Sequence, residues 1–407
     1  MAGPRHGEMS VVIVAAGPTG VVAALDAAQR GFQVDLLEAA ESISDAPRAA
    51  TFHPPTLEML ARLGIIEEFT AVGLVARHFD FWDKPSRTLT ARFDHDVLRD
   101  DTPYPYVVQT EQHKLVRIAL DRLAAHPNAR VHIGTAATAV TQDADAAEVT
   151  ATGPEGTRVF RADVVVGCDG GRSTIRKSLG VEFEGYTWPE RFLVLTTTTD
   201  FQAELGCSFR NYLADPQEWT NLFKVAGDDG KGRWRAVFAA RPDEPDDEVL
   251  GDPASERRLR GVLPSAGLDG LVHRNIYHVH QRVAARFRVG RVFLAGDAAH
   301  VNNPIGGLGL NCGIHDVTEL MATLAEARPS GDQSLWDRYD RRRRAINIKY
   351  VQEQTVANKR RLEETDPERR RARAEELRQQ ASDEARQREF LLRTSLLASL
   401  AESRAID

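Results

Sequence analysis

The first clear hydrophobic pattern lies near the start of the 407-residue chain. Apolar residues fill positions 11–14, a segment of small residues follows, and a second strand pattern covers residues 33–37. A short buried strand, a tight turn, a helix and a second strand in this order predict a βαβ unit. Gly17 and Gly20 lie in the turn and at the start of the helix, where glycine allows close backbone approach.

The spacing of polar residues around this unit is typical of dinucleotide binding. Gly17 would let a pyrophosphate come close to the backbone of Ala16 and Gly17, and Gly20 would let helix and strand pack closely. Glu38 ends the second strand, where its carboxylate can accept hydrogen bonds from an adenosine ribose. The first glycine of the usual G-x-G-x-x-G pattern is replaced by Ala15, whose Cβ is expected to strain the turn.

A second organised stretch covers residues 291–316. It begins with a short apolar strand, turns at Gly296 and Asp297, and crosses a loop rich in proline and glycine before a helix begins. Three glycines ahead of a helix leave free N–H groups and the positive end of the helix dipole facing the loop. One apolar stripe predicts that this helix is buried, and its members are Leu310, Ile314, Val317, Met321 and Leu324.

The regions between these stretches alternate between apolar and polar residues. Residues 75–106 and 185–282 carry strand patterns separated by Asp, Pro and Gly turns, which predicts an antiparallel sheet. Further short strands are expected near residues 131–133, 137–140, 148–152 and 164–166. Beyond Leu324 the chain is strongly charged with both signs interleaved, which favours helices with solvated faces.

Composition excludes several classes of function. A net charge of -7 gives no electrostatic reason to expect nucleic acid or a membrane surface as a partner. Three cysteines with no C-x-x-C pair, an N-terminus without a signal-peptide core and no long apolar run favour a cytoplasmic protein. His278 and His280 share one face of a predicted strand, but no further ligands stand at metal spacing, so we expect no metal.

The order strand, Gly-Asp, Ala-Ala-His, Pro304, Gly-Gly-x-Gly-x-Asn and Asp316 resembles a flavin fingerprint. It is similar to that of the FAD-dependent aromatic hydroxylases, the single-component flavoprotein monooxygenases that include para-hydroxybenzoate hydroxylase. The βαβ unit and the segment Asp169-Gly170 with Arg172 match two further motifs of this family in the same order. The resemblance covers about residues 11–324.

The resemblance implies an α/β fold with a Rossmann-like FAD-binding domain and an inserted substrate domain built on an antiparallel sheet. We expect a discontinuous FAD-binding domain over residues 10–74, 107–182 and 283–330. The α+β substrate domain would take residues 75–106 and 183–282, and a C-terminal helical region residues 331–407. The charged C-terminal helices could contribute to a homodimer.

The resemblance also implies the chemistry and its residues. FAD, reduced by NADPH or NADH, would react with dioxygen to form a C4a-hydroperoxide that hydroxylates a phenolic or related electron-rich aromatic substrate. Pro304 would lie beside the flavin ring. Tyr212 is our candidate partner for a substrate phenolate on different grounds, because a phenol side chain can hold a phenolate. The cofactor-binding residues expected from the matching motifs are Ala16, Gly17, Gly20, Glu38, Arg48, Gln109, Asp169, Gly296, Asp297, Gly309, Leu310 and Asn311.

Other functions remain open from the sequence alone. The same fold serves halogenases, but their Trp-x-Trp-x-Ile-Pro signature is absent from the sequence. It also serves reductases of isoprenoid chains, which would favour a wider apolar pocket. The alternative from a different class is a catalytically idle FAD- or NAD-binding protein that senses redox state or acts as a scaffold.

Overall fold

The computed structural model describes residues 9–407. The expectation that the chain begins without a signal peptide concerns residues 1–8 and lies outside the described residues. Within residues 9–407, no helix has both the length and the apolar character needed to cross a membrane.

The strands occupy mainly the first three quarters of the chain. In chain order they are β1 Ser10–Val14, β2 Gln33–Leu37, β3 Thr51–Phe52, β4 Leu74–Ala76, β5 His78–Asp83, β6 Thr88–Asp94, β7 Val107–Gln109, β8 Ala129–His132, β9 Ala136–Gln142, β10 Ala147–Gly153, β11 Gly156–Ala162, β12 Val164–Gly167, β13 Phe183–Thr197, β14 Arg210–Ala214, β15 Thr220–Val225, β16 Arg233–Ala240, β17 Leu271–Ala284, β18 Arg288–Val289, β19 Val292–Leu294 and β20 His300–Val301.

The helices connect these strands and then form the C-terminal region. They are α1 Pro18–Gln29, α2 Pro54–Arg62, α3 Ile66–Ala71, α4 Gln112–Leu123, α5 Thr174–Ser178, α6 Phe201–Leu205, α7 Asp246–Val249, α8 Asp252–Val262, α9 Leu308–Ala327, α10 Trp336–Ile346, α11 Glu353–Leu362, α12 Pro367–Ser382, α13 Glu384–Thr394 and α14 Leu397–Arg404. A π-helix, Asn347–Gln352, joins α10 to α11.

The parallel sheet confirms the predicted βαβ unit and the Rossmann-like fold. Its strand order is β18-β19-β12-β1-β2-β8, and β1 pairs in parallel with both β2 and β12. Its central strands are buried, as continuous apolar runs in parallel sheets normally are. Helices α1 and α9 pack against each other, so the two glycine-rich segments at their starts meet in space.

The antiparallel sheet confirms the predicted substrate sheet. Its order is β20-β17-β13-β16-β15-β14-β5-β6, with one parallel pair between β5 and β14. Alternation along the strands sends one set of side chains, including Trp234 and Phe238, into a core with Leu259 of α8. The other set faces the loops of the parallel sheet, and the space between becomes the cavity described below.

Two details differ from the sequence expectations. Strand β11 was missed, although it pairs with β10 along its whole length; only Phe160 and Ala162 of this strand are buried, so its apolar signal is weak. Helix α9 begins at Leu308, and Gly309 therefore lies in its first turn rather than before it. Gly307 precedes the helix with φ +67°, a left-handed conformation that sets the helix start.

The C-terminal helices pack on both halves of the molecule. Trp336 and Tyr339 of α10 belong to the core around the parallel sheet, and the Tyr339 hydroxyl donates to the carbonyl of Leu294 at 2.7 Å. Helices α12 and α13 pack near β6, where Phe390 stacks on Phe93 with ring centroids 4.2 Å apart. The C-terminal region therefore fastens the parallel sheet to the antiparallel sheet.

Strand β4 lies at the expected boundary between the two domains. It pairs with β7 in a small sheet with β3, so Val75 and Ala76 lie beside residues of the expected FAD-binding part. Strand β5 begins at His78 and enters the antiparallel sheet. The limits of the expected domains stay a prediction.

The strain expected at Ala15 is present. Ala15 has φ +84°, a conformation that disfavours residues with a Cβ atom, and its N–H donates to the carbonyl of Leu37 at 2.7 Å. Its own carbonyl lies 1.8 Å from where a Cβ on Gly20 would stand. The turn therefore requires glycine at position 20 and tolerates alanine at position 15 at a cost in stability.

We predict that Ala15→Gly stabilises the protein. Removing a Cβ at positive φ is expected to raise the free energy of unfolding by about 1 kcal/mol, because the strain exceeds the added entropy of the unfolded chain. Urea unfolding followed by tryptophan fluorescence measures the change. Ala27→Gly, inside helix α1, is the matched control and is expected to lower stability by about 1 kcal/mol or more. Equal destabilisation by both changes would contradict the strain.

Candidate active site

A cavity of about 460 Å³ lies between the antiparallel sheet and the glycine-rich loops of the parallel-sheet half. The loop side contributes residues 46–51, Asp297, and the segment from Val301 to Leu310. The sheet side contributes alternate residues of five strands: Val194, Arg210, Tyr212, Asn221, Phe223, Arg235, Val237, Asn275 and Tyr277. The cavity is thus lined by the expected flavin loops on one side and the expected substrate sheet on the other.

Strand register orders the sheet side into rows. Tyr212 pairs with Asn221, and Asn221 pairs with Val237, so these three form one row across β14, β15 and β16. The next row is Arg210, Phe223 and Arg235 across the same strands. Residues in each row are neighbours at the strand spacing of about 4.8 Å. The rows present polar and aromatic groups together at the floor of the cavity.

The structure brings six of the residues predicted from the sequence to this cavity. They are Arg48, Tyr212, Asp297, Pro304, Gly309 and Leu310. The Asp297 carboxyl group opens onto the cavity, and the enclosing walls raise its pKa by desolvation, while the charges of His300 and Arg48 lower it in part. Pro304 stands in the loop opposite the sheet, and its position beside the flavin ring stays a prediction.

Four predicted residues lie together at the βαβ turn. The Glu38 carboxylate accepts a hydrogen bond from the Ala16 N–H at 2.7 Å and another from Ala40 at 2.9 Å. A Cβ built on Gly17 meets no atom within 4 Å, so the backbone there faces open space. Gly20 packs against Ala15, as described above. This open backbone beside a carboxylate has the shape that a dinucleotide site requires.

Other predicted residues have side chains that bond within the protein. Gln109 is buried, donates to the carbonyl of Phe209 at 2.6 Å and accepts from the Thr51 hydroxyl at 3.1 Å. Asp169 accepts hydrogen bonds from Ser173, Thr174 and Ile175 at the start of helix α5. These contacts give both residues a structural function, and their binding of FAD stays a prediction.

Asn311 is also fully used within the fold. Its side-chain oxygen accepts from the His53 N–H at 2.8 Å and from the Thr56 hydroxyl at 2.7 Å. Its amide nitrogen donates to the carbonyls of Thr51 and Gly307. The side chain therefore ties helix α9 to the segment before α2, and only its backbone remains for a ligand.

Gly296 is held by a buried charge network. Asp316, fully buried on α9, accepts from the Gly296 N–H at 3.1 Å, and its carboxylate lies 2.6 Å from Nε2 of His300. Arg343 of α10 donates to it through Nε at 2.7 Å. Burial alone would raise the pKa of Asp316, but His300 and Arg343 lower it to about 2. The ionised carboxylate fixes the turn that carries Asp297.

The same network explains a cluster that resembles a metal site. Potential ligand atoms of His300, Cys312 and Asp316 lie within 4.8 Å of one another. Arg343 occupies that place, since its guanidinium bonds Asp316 and lies 3.0 Å from the Cys312 sulfur. Burial raises the pKa of the Cys312 thiol to about 12, so it stays protonated. A cation at this point would meet the positive charge of Arg343.

Sequence reasoning missed two arginines at the cavity, Arg210 and Arg235. Both are 4% exposed. Each lies two positions from another cavity-facing residue of the same predicted strand, and therefore on the same face. That alternation was available as a signal. It did not reveal which face of each strand meets the flavin loops. Among the aromatic residues of the substrate sheet, Phe223 lines the cavity, whereas Tyr186 and Trp188 lie outside it.

Tyr212 and Arg210 act on each other electrostatically. Burial raises the pKa of Tyr212, and the positive charge of Arg210 lowers it in part. The phenol therefore keeps its proton at neutral pH. Arg210 and Tyr212 lie two residues apart on β14 and both line the cavity. A guanidinium can only donate, so the O–H of Tyr212 cannot donate to Arg210. The raised pKa favours Tyr212 as a hydrogen-bond donor over Tyr212 as a base, and its contact with a substrate stays a prediction.

Comparison with known proteins defines the class. Residues 8–354 match the family described as an FAD binding domain. The chain belongs to this family, and it is an FAD-dependent aromatic monooxygenase. The resemblance to the aromatic hydroxylases and the α/β fold expected from the sequence are confirmed.

Particular relatives share almost the whole chain. Para-nitrophenol 4-monooxygenase of Pseudomonas sp. (strain WBC-3) is 33% identical over 390 residues, 94% of either chain. The 6-hydroxy-3-succinoylpyridine 3-monooxygenase of Pseudomonas putida (strain DSM 28022 / S16) is 33% identical over 83% of this chain and 85% of its own. The crystal structure of p-nitrophenol 4-monooxygenase from Pseudomonas putida DLL-E4 superposes with a TM-score of 0.89 at 32% identity, covering 95% of this chain and 96% of that one.

The site is compatible with FAD, the cofactor of this class. Open backbone at Gly17 beside the Glu38 carboxylate fits a diphosphate and an adenosine ribose. A Cβ at Gly313 would stand 3.0 Å from the Cα of Gly296, so the glycines let α9 approach the Asp297 turn closely. The glycine-rich loop at residues 306–309 lines the cavity beside helix α9, whose first N–H groups are free to meet a polar ring edge.

We predict that Asp316→Asn destabilises the protein by about 3–5 kcal/mol, because it leaves Arg343 buried without a full counter-charge. Urea unfolding measures the loss. Glu319→Gln is the matched control: Glu319 pairs with Arg342 at 2.7 Å between the same two helices, but near the surface. The free energy of unfolding of Glu319→Gln is expected to fall by less than about 1 kcal/mol. Similar losses for both variants would contradict the importance of the buried network.

The pH dependence of stability follows from the same carboxylate. An unfolded aspartate titrates near ~3.9, and folding lowers the pKa of Asp316 to about 2. Its contribution of about 2–3 kcal/mol is therefore present above pH ~4 and disappears as pH falls towards ~2. The difference in unfolding free energy between the wild type and Asp316→Asn is therefore expected to shrink by about 2–3 kcal/mol over this acidic range. A constant difference between them down to pH ~2 would contradict the linkage.

Proposed function

We propose that this monooxygenase hydroxylates a single-ring phenol, bound as its phenolate in the cavity beneath Pro304. The proposal rests on one observation, the pair Tyr212 and Arg210. Together they place one hydrogen-bond donor and one positive charge on the floor of the cavity. A phenolate is more electron-rich than a phenol, and both groups favour the charged form. The substrate named for one relative, para-nitrophenol, is a single-ring phenol, and that named for the other is a single hydroxylated pyridine ring.

The residues of the chain perform distinct tasks in this proposal. Tyr212 donates to the phenolate oxygen, and Arg210 polarises Tyr212 and compensates the negative charge. Phe223 and Val237 supply an apolar floor for the ring, and Pro304 limits its movement from above. Enclosure by these groups excludes water from the reacting ring.

Bound FAD supplies the oxygen chemistry, with NAD(P)H as reductant. We propose that Gly17, Glu38 and the backbone at Ala16 hold its adenosine diphosphate end. Asp297, Gly296 and Arg48 would contact the middle, and the start of helix α9 would face its ring, as the family motifs imply. Gln109 and Asp169 would support this end of the site through the loops they fasten.

The cytoplasmic location and a homodimer formed by the C-terminal helices stay predictions, and both NADPH and NADH stay open as the reductant. They follow from composition and from the interleaved charges of α10 to α14. The idle sensor or scaffold is less well supported, because the cavity places a hydrogen-bond donor and two cations opposite the expected flavin loops. A scaffold has no need of that arrangement. An isoprenoid reductase would need an apolar pocket, and two arginines do not favour that substrate.

The proposal is tested by consumption of NADPH or NADH in the presence of FAD and a panel of phenols, beginning with 4-nitrophenol. We expect at least one phenol to accelerate consumption and to yield a product with one additional hydroxyl group or with the nitro group replaced. Chromatography with mass detection identifies it. Consumption that no phenol accelerates, in protein shown to bind FAD, would contradict the proposal.

We predict that Tyr212→Phe lowers kcat about ten- to hundred-fold, because the phenolate loses one hydrogen-bond donor. It is also expected to raise the pKa of bound 4-nitrophenol, which the yellow absorbance of the nitrophenolate reports. Tyr186→Phe, outside the cavity, is the control and should change neither quantity. An unaltered pKa of the bound phenol in Tyr212→Phe would exclude the donor role.

A further inference from the structure

His53 is a buried residue to which the proposed function gives no task. It lies at the N-terminus of helix α2, is fully buried and does not line the cavity. Its Nε2 lies 2.9 Å from the carbonyl oxygen of Gly306, a residue that does line the cavity. The imidazole therefore contacts the glycine-rich loop at a point outside the cavity.

The contact with Gly306 determines the state of the His53 ring. A carbonyl oxygen can only accept, so Nε2 carries the proton and donates it. Nδ1 has no hydrogen-bond partner among residues 9–407. Burial lowers the pKa of His53 well below its ordinary value, with the charge of Arg210 as a smaller cause, so the ring is neutral. The backbone N–H of His53 donates to the Asn311 side chain at 2.8 Å, which fixes the position from which the ring extends.

The carbonyl groups of residues 304–307 all accept hydrogen bonds from within the protein. Besides His53, the donors are the Gly307 N–H to Pro304 at 3.0 Å, Asn358 to Ile305 at 3.2 Å, Arg210 to Gly306 at 3.1 Å and Asn311 to Gly307 at 2.6 Å. Within residues 9–407, the N–H of Gly306 and the first N–H groups of α9 have no acceptor. The loop therefore offers donors, and no unpaired carbonyl, to a ligand in the cavity.

The peptide between Gly306 and Gly307 is the part of this loop that can turn over most easily. Both residues are glycines at positive φ, +125° and +67°, and glycine can adopt the opposite peptide orientation at little steric cost. Turning over would break the hydrogen bond to His53 and direct the Gly306 carbonyl towards the cavity. Arg210 already compensates the phenolate in the proposed function, so His53 is the donor without another task.

The orientation of this peptide matters for a flavin because reduction adds electrons to the ring. N–H groups directed at the ring favour the electron-rich, reduced form, whereas the negative end of a carbonyl dipole disfavours it. Hydrogen bonds and partial charges beside the ring are the means by which a protein tunes a flavin. A loop whose carbonyls are held by other groups therefore raises the reduction potential.

We infer that His53 is a positioning residue for the flavin: by holding the Gly306 carbonyl, it keeps the donor groups of the loop directed at the ring and raises the reduction potential of bound FAD. It lies outside the cavity and acts through the Gly306 peptide. The inference rests on the placement of FAD in the proposed function, with the ring beside the start of α9. It does not depend on the phenol.

The test compares His53→Leu, which removes the donor, with His53→Gln, whose amide nitrogen can replace Nε2. The measured quantity is the midpoint potential of bound FAD without any phenol, determined by stepwise reduction against a reference dye. We expect His53→Leu to weaken the binding of reduced FAD relative to oxidised FAD about ten-fold, which lowers the potential of a two-electron couple by about 30 mV. In His53→Gln the ratio of the two affinities should stay within about two-fold of the wild type.

His95→Leu is the matched control. His95 is also fully buried, and its Nδ1 lies 2.9 Å from the carbonyl of Arg77, outside the cavity. Both leucine variants lose a buried hydrogen bond of the same kind and should lose stability. Only His53→Leu should change the potential, because only its carbonyl belongs to the cavity loop. An equal change in both leucine variants, or an unchanged potential in His53→Leu, would overturn the inference.

A crystal structure of the unaltered, FAD-loaded protein decides the matter if His53→Leu does not fold. The Gly306 carbonyl is expected to point to His53 there, and a carbonyl that faces the flavin ring would overturn the inference. If the potential falls as expected but no phenol accelerates NAD(P)H consumption, the proposed hydroxylation fails and the role of His53 stands. If a phenol is hydroxylated and the potential of His53→Leu is unchanged, only the role of His53 fails.

Discussion

The buried carboxylate of Asp316 is the interaction on which the rest of the site depends. It receives the N–H of Gly296, the imidazole of His300 and the guanidinium of Arg343, and it has no exposed surface. Removing Arg343 would leave the carboxylate in the interior of the protein without its cationic partner. The network links the turn that carries Asp297 to a helix of the C-terminal region. The C-terminal region therefore helps to hold the candidate flavin site in place.

From this fixed turn the chain builds a cavity with two different sides. The loop side is glycine-rich and has few side chains, so a large planar ligand can lie against backbone. The sheet side carries the chemistry: a phenol that donates, two cations and an aromatic floor. The separation of tasks explains how members of one family can share a cofactor and differ in substrate. The strands that contact the substrate can vary in sequence without disturbing the loops that bind the cofactor.

Much of the fold could be predicted because its signals are local. Residues 11–38 contain the βαβ pattern, its glycines and its carboxylate within one short stretch, and residues 291–316 contain the second fingerprint. The row of Arg210, Phe223 and Arg235 could not be predicted in this way. It depends on the register of three strands, and a shift of one residue would turn each side chain to the opposite face. The pairing of Asp316 with Arg343 likewise depends on how α10 packs, which no local pattern specifies. Strand β11 was missed because most of its residues face solvent.

The central claim is that the chain inserts one atom of dioxygen into a phenol bound in this cavity. The most direct measurement is a turnover with isotopically labelled dioxygen, FAD, NAD(P)H and the phenol that binds best, followed by mass spectrometry of the aromatic product. The account predicts that the new ring oxygen carries the label, and that the amount of labelled product approaches the NAD(P)H consumed. Unlabelled product, or NAD(P)H consumed with peroxide as the sole oxygen product for every phenol that binds, would contradict it.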